Sequence, residues 1–431
     1  MSKTKKVLAM LLASMLTAAS MAGCQNDSSS GGSSGDSGEG QEGTTTVNFY
    51  GASDMDKTAE AEIEAFMKEN ENIKVEYHSI PNDDYDDKIK VMLSGGSSDI
   101  DALWIRTPAQ TKQYMNSNVL KDLSPLAEDS GLDLSPIKDT SLVGVSGSDN
   151  DFYGLPVSGS CWMIFYNVDL FKEAGVDAPI NLTWDEYCDL AKELTHTEGD
   201  TTYYGGMCPT WTMNLGASSA GEYLTDDAPL TRTMEYLEIL HRMYVDDASH
   251  VSVEEMSVDT WDVNAYFAAG NIYMMINGDW TFRLLDGYEP DFEWAAAPLP
   301  VFDDVEEGST VGQSSYLCIP SSCSEDKVDA AYKFIEFYTT SDEGTSVIAS
   351  FGDVPSYTTD AAMEVYQESV DVEGVEYRFS AKISDEQGTD SHYSAINDAF
   401  MEESKLYLLG EQSLEDAMNN FYSLREEALA D

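Results

Sequence analysis

Residues 153–195 read YGLPVSGSCWMIFYNVDLFKEAGVDAPINLTWDEYCDLAKELT. Tyr153-Gly154-Leu155-Pro156 closes a tight turn and starts an extended run. Cys161–Tyr166 (CWMIFY) is apolar and β-prone, the composition of a buried strand. Asn167 breaks the strand. Val168–Ala174 predicts a short helix stopped by Gly175, with Pro179 just beyond, where a helix cannot continue. Thr183-Trp184-Asp185-Glu186 opens a second helix: the Thr183 hydroxyl can take the N3 amide while Glu186 reaches back to the cap, a capping box.

Upstream, strand and helix alternate. Thr46–Tyr50 reads as a strand, Lys57–Glu69 as an amphipathic helix with Ile63, Phe66 and Met67 on one face, and Ile73–His78 as the next strand. Asp83–Leu93 is helical and Asp99–Ile105 is a third strand. This alternation predicts a mainly parallel sheet with helices on both faces. Ligands of such sheets sit beyond the carboxyl ends of the strands, which points to Ser53, Asp54, Arg106 and Thr107. Downstream, Tyr203–Thr212 (YYGGMCPTWT) is an aromatic, Gly-rich loop and Arg232–Asp246 a helix. Tyr266–Trp280 runs from a helix end through the strand IYMMI to Asn277-Gly278-Asp279-Trp280. Glu293–Pro300 and Gly312–Pro320 read as strands and Lys327–Thr340 as a helix. Phe351–Pro355 (FGDVP) is a turn, and two helices close the chain near 395–409 and 413–429. Ser148-Asp149-Asn150-Asp151 lacks the later glycine and glutamate of a calcium loop and reads as a polar turn.

The order of these pieces resembles the extracellular solute-binding proteins that feed ABC importers, in the carbohydrate-binding group that includes maltose-binding protein. The matching elements are the GLP turn, the FYN strand end, DLFKEAG, TWDEY, SSDIDALW, the NGDW turn after an apolar strand, EWAAAPLP, GQSSYLCIP and FGDVP. The resemblance covers roughly residues 46–431. It implies an α/β, two-lobed periplasmic-binding-protein-like fold, each lobe a mainly parallel sheet flanked by helices, the two joined by a hinge. The expected limits are 46–156 with 317–378 for lobe 1 and 160–312 with 384–431 for lobe 2. Crossings are expected near Pro156–Ser160, Gln313–Leu317 and Phe379–Ser384.

The N-terminus reads as a targeting segment. Lys3, Lys5 and Lys6 precede the apolar run Val7–Ala19, too short to span a membrane as a helix. Met21-Ala22-Gly23-Cys24 resembles a bacterial lipobox, with Met21 where Leu is usual. The expectation is a lipoprotein signal peptide over 1–23, lipidation of Cys24, and a Ser/Gly/acidic linker over 24–45 that holds the folded part at the outer face of the cell membrane.

Composition narrows the function classes. The 79 acidic residues against 23 basic ones give a net charge of −56, a surface that repels nucleic acid and anionic lipid. At 431 residues and 42% hydrophobic content, the chain suits two domains with sizeable cores. Past Cys24, the odd set Cys161, Cys188, Cys208, Cys318 and Cys323 leaves at least one thiol unpaired. Cys318 and Cys323 could bridge, but free buried thiols fit better. The histidines show no metal-ligand spacing, so neither metal nor cofactor is expected. The folded part holds no G-x-S-x-G, H-E-x-x-H or P-loop, and carboxylate pairs carry no signal in so acidic a chain, so catalysis is not expected.

A sugar presents apolar C–H faces to aromatic rings and hydroxyls to polar side chains. Trp280 beside Asp279 fits that pattern best, and the resemblance also places a stacking aromatic at this turn. Trp211 in its Gly-rich loop and Trp162 just past GLPVSGS follow, with Asp54 and Arg106 as hydrogen-bonding groups; Arg106 could instead pair with one of the many acids. Trp184 suits the start of its helix, Trp104 a strand core, and Trp261 either role. The resemblance implies a monomer whose lobes close on a carbohydrate and hand it to the permease subunits of an ABC importer, touching the membrane only through its lipid. A peptide or polyamine cargo on the same fold, or a surface module that senses or adheres, are the alternatives.

Overall fold

The computed structural model describes residues 43–137, 139–147, 151–258 and 261–430. The signal segment, Cys24, the linker up to residue 42 and positions 148–150 of the polar turn lie outside the described residues. The strands are β1 (Thr45–Ala52), β2 (Ile73–Ile80), β3 (Ala102–Ile105), β4 (Gly154–Gly159), β5 (Trp162–Asn167), β6 (His196–Glu198), β7 (Thr201–Met207), β8 (Ile272–Gly278), β9 (Trp294–Pro298), β10 (Ser309–Gly312), β11 (Ser314–Cys318) and β12 (Lys382–Asp385). They make two five-stranded sheets, ordered β2-β1-β3-β11-β4 and β6-β7-β8-β5-β9, and a two-stranded ladder of β10 with β12.

The stretch 153–195 folds as its residues dictate. β5 lies between β8 and β9, and all six of its residues are buried, which accounts for the unbroken apolar run. The Asn167 side chain accepts the Leu170 amide at 3.0 Å and starts the helix Val168–Ala174, which ends at Gly175 in the left-handed region (φ 70°). Both bonds of the Thr183–Glu186 capping box form, at 3.2 and 2.9 Å.

The sheets are mixed rather than mainly parallel. β1 runs parallel to β2 and β3, and β7 to β8, but β11 is antiparallel to β3 and β4, and β5 to β8 and β9. A helical crossover returns a strand in the same direction. The chain instead steps from β4 to β5 through Ser160-Cys161, and from β10 to β11 through Gln313, without a helix between. These two steps are bonded to each other: the Ser160 amide donates to the Gln313 carbonyl at 2.9 Å and the Gln313 amide to the Ser160 hydroxyl at 3.0 Å. A Cβ at Gly312 would lie 1.9 Å from the Ser160 carbonyl oxygen, so only glycine fits this approach.

Each sheet has its own apolar core. The helix Val328–Thr340 buries Ala331, Phe334, Ile335 and Tyr338 with the first sheet. Ala349, Ala362, Tyr366 and Val370 are buried with the second sheet's side chains. The five cysteines from Cys161 on are free and buried, so Cys318 and Cys323 do not bridge. No helix among the described residues is long and apolar enough to cross a membrane.

One core position breaks the pattern. Glu62, on the helix Asp56–Glu69, is 0% exposed and neither carboxylate oxygen has a partner. Burial, aided by Glu343, raises its carboxyl well above the ordinary range. Its proton is therefore held more tightly folded than unfolded, and stability drains as pH rises past the unfolded value near 4.5. Glu62→Met is expected to gain about 1–3 kcal/mol at neutral pH, read from urea midpoints. The gain should shrink as pH is lowered from neutral towards about 4.5; a gain independent of pH would show that ionisation is not the cost.

Candidate ligand-binding site

The parallel strands β1 and β3 end on the same edge of the first sheet, placing Asp54 in a short turn, Ser53–Met55, and Arg106 beside it. On the second sheet, β8 ends in Gly278-Asp279-Trp280, followed by the helix Thr281–Leu284, which carries Arg283. Arg283 Nη1 donates to the Asp54 backbone carbonyl, so these two edges face each other. Farther along the same junction, the helix Tyr393–Leu408 packs on Pro108–Asn116.

Two of the tryptophans meet at this junction. Trp162 and Trp280 stand edge to face, 5.2 Å between centroids and 82° between planes. The Trp280 ring covers Gly278, where a Cβ would lie 2.1 Å from it, so the turn needs glycine at that position. Trp162 is buried, and its indole N–H donates to Glu386 Oε2 at 2.7 Å. Trp280 is half-buried. A hollow of about 270 Å³ adjoins Trp162 but not Trp280, its walls including Cys161, Thr310, Tyr377 and Lys382.

Around the tryptophans lies a buried charge network. The Asp279 amide donates to the Cys161 carbonyl at 2.9 Å, and its carboxylate accepts from Arg378 Nε. Arg378 Nη2 also donates to the Gly159 carbonyl at 2.7 Å, the last residue of β4. Arg283 Nε lies 3.0 Å from Asp353 Oδ2, in the FGDVP turn, where Gly352 takes φ 86°. Burial raises the carboxyls of Asp279 and Asp353, and the neighbouring guanidinium opposes the rise in each. Burial also lifts Glu386 to about 7 against the Trp162 hydrogen bond.

Aromatic faces beside acceptors and donors at the facing edges of two sheets are an arrangement that can hold a polar molecule with apolar faces. His250, by contrast, is buried between Tyr187 and Ser249 and pushed down to about 3 by desolvation, a neutral structural side chain. Among the described residues no group of three or more metal-ligating side chains is gathered.

Comparison with known proteins agrees with this architecture. The family described as "Bacterial extracellular solute-binding protein" matches residues 52–345. This chain belongs to that family. Among its relatives, the multiple sugar-binding protein of Streptococcus mutans is 23% identical over 75% of this chain and 76% of its own. The arabinooligosaccharide-binding protein of Bacillus subtilis is 21% identical over 80% and 79%. Three Brucella relatives are 24% identical over 238 residues, and the chain spans about half of their length, 55%. Among solved structures, an ABC substrate-binding protein of Listeria monocytogenes in complex with cycloalternan superposes with a TM-score of 0.78 at 22% identity, over 90% of this chain and 99% of that one. A maltose-bound T. maritima protein gives 0.75 at 18%, over 89% and 99%. The two-lobed solute-binding fold expected from the sequence is thus the one observed.

Within this solute-binding protein the six side chains singled out in the sequence take different places. Trp162 and Trp280 come together, with Asp54 across the junction; its Oδ1 is buried without a partner. Asp279 is held by Arg378. Arg106 is engaged by Asp86 (3.3 Å) and Asn82 (3.1 Å) and lies 4.9 Å over the Trp104 ring. Trp211, 49% exposed, packs edgewise on Trp261 at 5.6 Å, which in turn tilts against Tyr266. The residues missed are Glu386, Arg378, Arg283 and Asp353. FGDVP reads as a turn, but its aspartate is indistinguishable by sequence in a chain with 79 acids.

Proposed function

We propose that this protein captures a carbohydrate between its lobes and delivers it to an ABC importer, tethered by lipid on Cys24 to the outer face of the cell membrane. The observation that carries the reading is the Trp162–Trp280 pair at the lobe junction, with the Glu386 carboxylate bonded to its edge. One ring offers a face for a sugar's C–H groups while the acid accepts from a hydroxyl. The names of the streptococcal and Bacillus relatives support a sugar cargo. An oligosaccharide suits the geometry because β7 and β8 run parallel, so Trp211 with Trp261 stands beyond the same sheet edge as Trp280 and extends the aromatic surface. We place the end of the first lobe's second segment near residue 349, where side chains begin to join the second core. Capture follows from lobe closure, with no covalent chemistry and no cofactor.

A thermal-shift screen of the purified protein against mono- and oligosaccharides, peptides and polyamines tests this. A sugar at about 100 times its dissociation constant adds about 2.7 kcal/mol, a rise of about 3 °C for a chain of this size. Shifts with peptides or polyamines alone would reject a sugar cargo.

Glu386 gives the site a pH signature. Its folded value of about 7 lies above the ordinary 4.5, so its contribution to stability is full below pH 4.5 and is lost as pH rises to 7. Glu386→Gln removes this loss. The melting temperature of the wild type should therefore fall relative to the variant's between pH 4.5 and 7. Parallel curves across that window would mean that Glu386 is ionised throughout.

A further inference from the structure

We infer that the cleft selects against anions: it takes an uncharged sugar and refuses the same sugar carrying a carboxylate or phosphate. This rests on the carbohydrate reading above and names the charge class of its cargo. Recognition of an oxyanion calls for a guanidinium, an ammonium or a helix start with donors to spare. The facing edges carry three arginines, and each is already matched to an acid. Arg106 is paired with Asp86, Arg283 with Asp353, and Arg378 with Asp279. Arg283 Nη1 donates to the Asp54 carbonyl and Arg378 Nη2 to the Gly159 carbonyl, while Arg283 Nε lies buried at ion-pair distance from Asp353.

The helix starts at this edge are no freer. Thr107 caps the helix Pro108–Asn116 by accepting the Gln110 amide at 3.1 Å, and Pro108 has no N–H to offer. The helix that follows Asp54 carries Asp56 in its first turn. Lys112, one turn into the helix after Arg106, donates to the Ser146 carbonyl. Across the junction, burial raises the Asp398 carboxyl, Lys90 opposing the rise and Asp87 adding to it.

Lys112 has a carbonyl and no acid as its partner, and the other groups left without a counter-charge are acidic. Asp54 Oδ1 is buried and unpartnered, and Asp385 and Glu386 adjoin Trp162. An incoming oxyanion would meet these carboxylates with every nearby guanidinium charge already balanced. A hydroxyl, by contrast, donates to them without penalty.

The test pairs each neutral probe with its oxidised form. Maltotriitol, mannotriitol and arabinotriitol are compared by calorimetry with the matching aldonic acids, which are open-chain at the same residue, and glycerol 3-phosphate is run alongside. The expected result is an aldonic acid bound at least a hundredfold more weakly than its neutral alditol, with no binding of glycerol 3-phosphate. An acid that binds as well as its alditol overturns the inference and leaves the sugar reading intact. Glycerol 3-phosphate binding while every neutral probe fails overturns both. A second measurement needs no sugar. Inorganic phosphate should shift the melting temperature of the wild type and of Arg106→Gln equally, at matched ionic strength. A larger shift in the wild type would reveal a guanidinium free to take an anion and would overturn the inference.

Discussion

Trp280→Ala is expected to weaken sugar binding about thirtyfold or more while the protein still melts cooperatively. Truncating a central aromatic anchor of a binding site costs about 2 kcal/mol or more. Trp280 is half-buried at the start of a short helix, its ring resting on Gly278 and against the edge of Trp162. It belongs to the surface of the junction more than to the core beneath it, so its loss should fall on affinity before stability. Calorimetry with the sugar found by screening measures the first, and a denaturant titration the second. Trp280→Phe should recover part of the affinity, because a smaller ring still offers a face. Affinity unchanged in Trp280→Ala would remove the residue from the site and with it the main support for a sugar cargo.

Arg378→Ala should be among the most damaging single changes. Arg378 and Asp279 are 7% and 9% exposed at their side chains, and breaking such a pair leaves a buried carboxylate alone. The cost is about 3–5 kcal/mol, a fall of about 5 °C in melting temperature for this length. Because Asp279 would then take up a proton more readily, the damage should be smaller at pH 4 than at pH 8. Removing both charges, as in Arg378→Met with Asp279→Leu, should restore much of the loss, since no unpaired charge remains. A double variant as unstable as the single one would show that packing, and not charge pairing, is what Arg378 supplies.

What could be read in the sequence was what neighbouring residues decide. The Thr183–Glu186 box, the Asn167 cap and the Gly175 stop each lie within a few positions of the groups they bond, and each formed. Trp280 stands out in the sequence because it closes a glycine turn after an apolar strand. The site's polar partners could not. Arg378 and Asp279 are 99 residues apart, and Trp162 and Glu386 are 224 apart, distances over which no local pattern survives. Arg106 follows a strand end that the sequence shows, yet nothing in the sequence marks Asp86 as its partner among so many acids. The mixed sheets escaped notice for a related reason. Strand direction depends on whether a helix intervenes, and the steps at Ser160-Cys161 and Gln313 are too short to advertise that the chain has entered another sheet.

The ladder of β10 with β12 bears on how the lobes can move. It zips Ser309–Gly312 to Lys382–Asp385 in parallel register, and the Glu386 amide extends it onto the Gly312 carbonyl at 3.1 Å. Two separate strings would let the lobes slide or fold in any direction. A zipped ribbon resists in-plane bending and slippage, because either would tear its cross-links, but it yields to torsion about its own length. In the closure proposed above, such a ribbon favours a twisting path over a sliding one. Because the ribbon runs on into Glu386, whose side chain bonds Trp162, the same cross-links that set this path also hold part of the proposed binding surface.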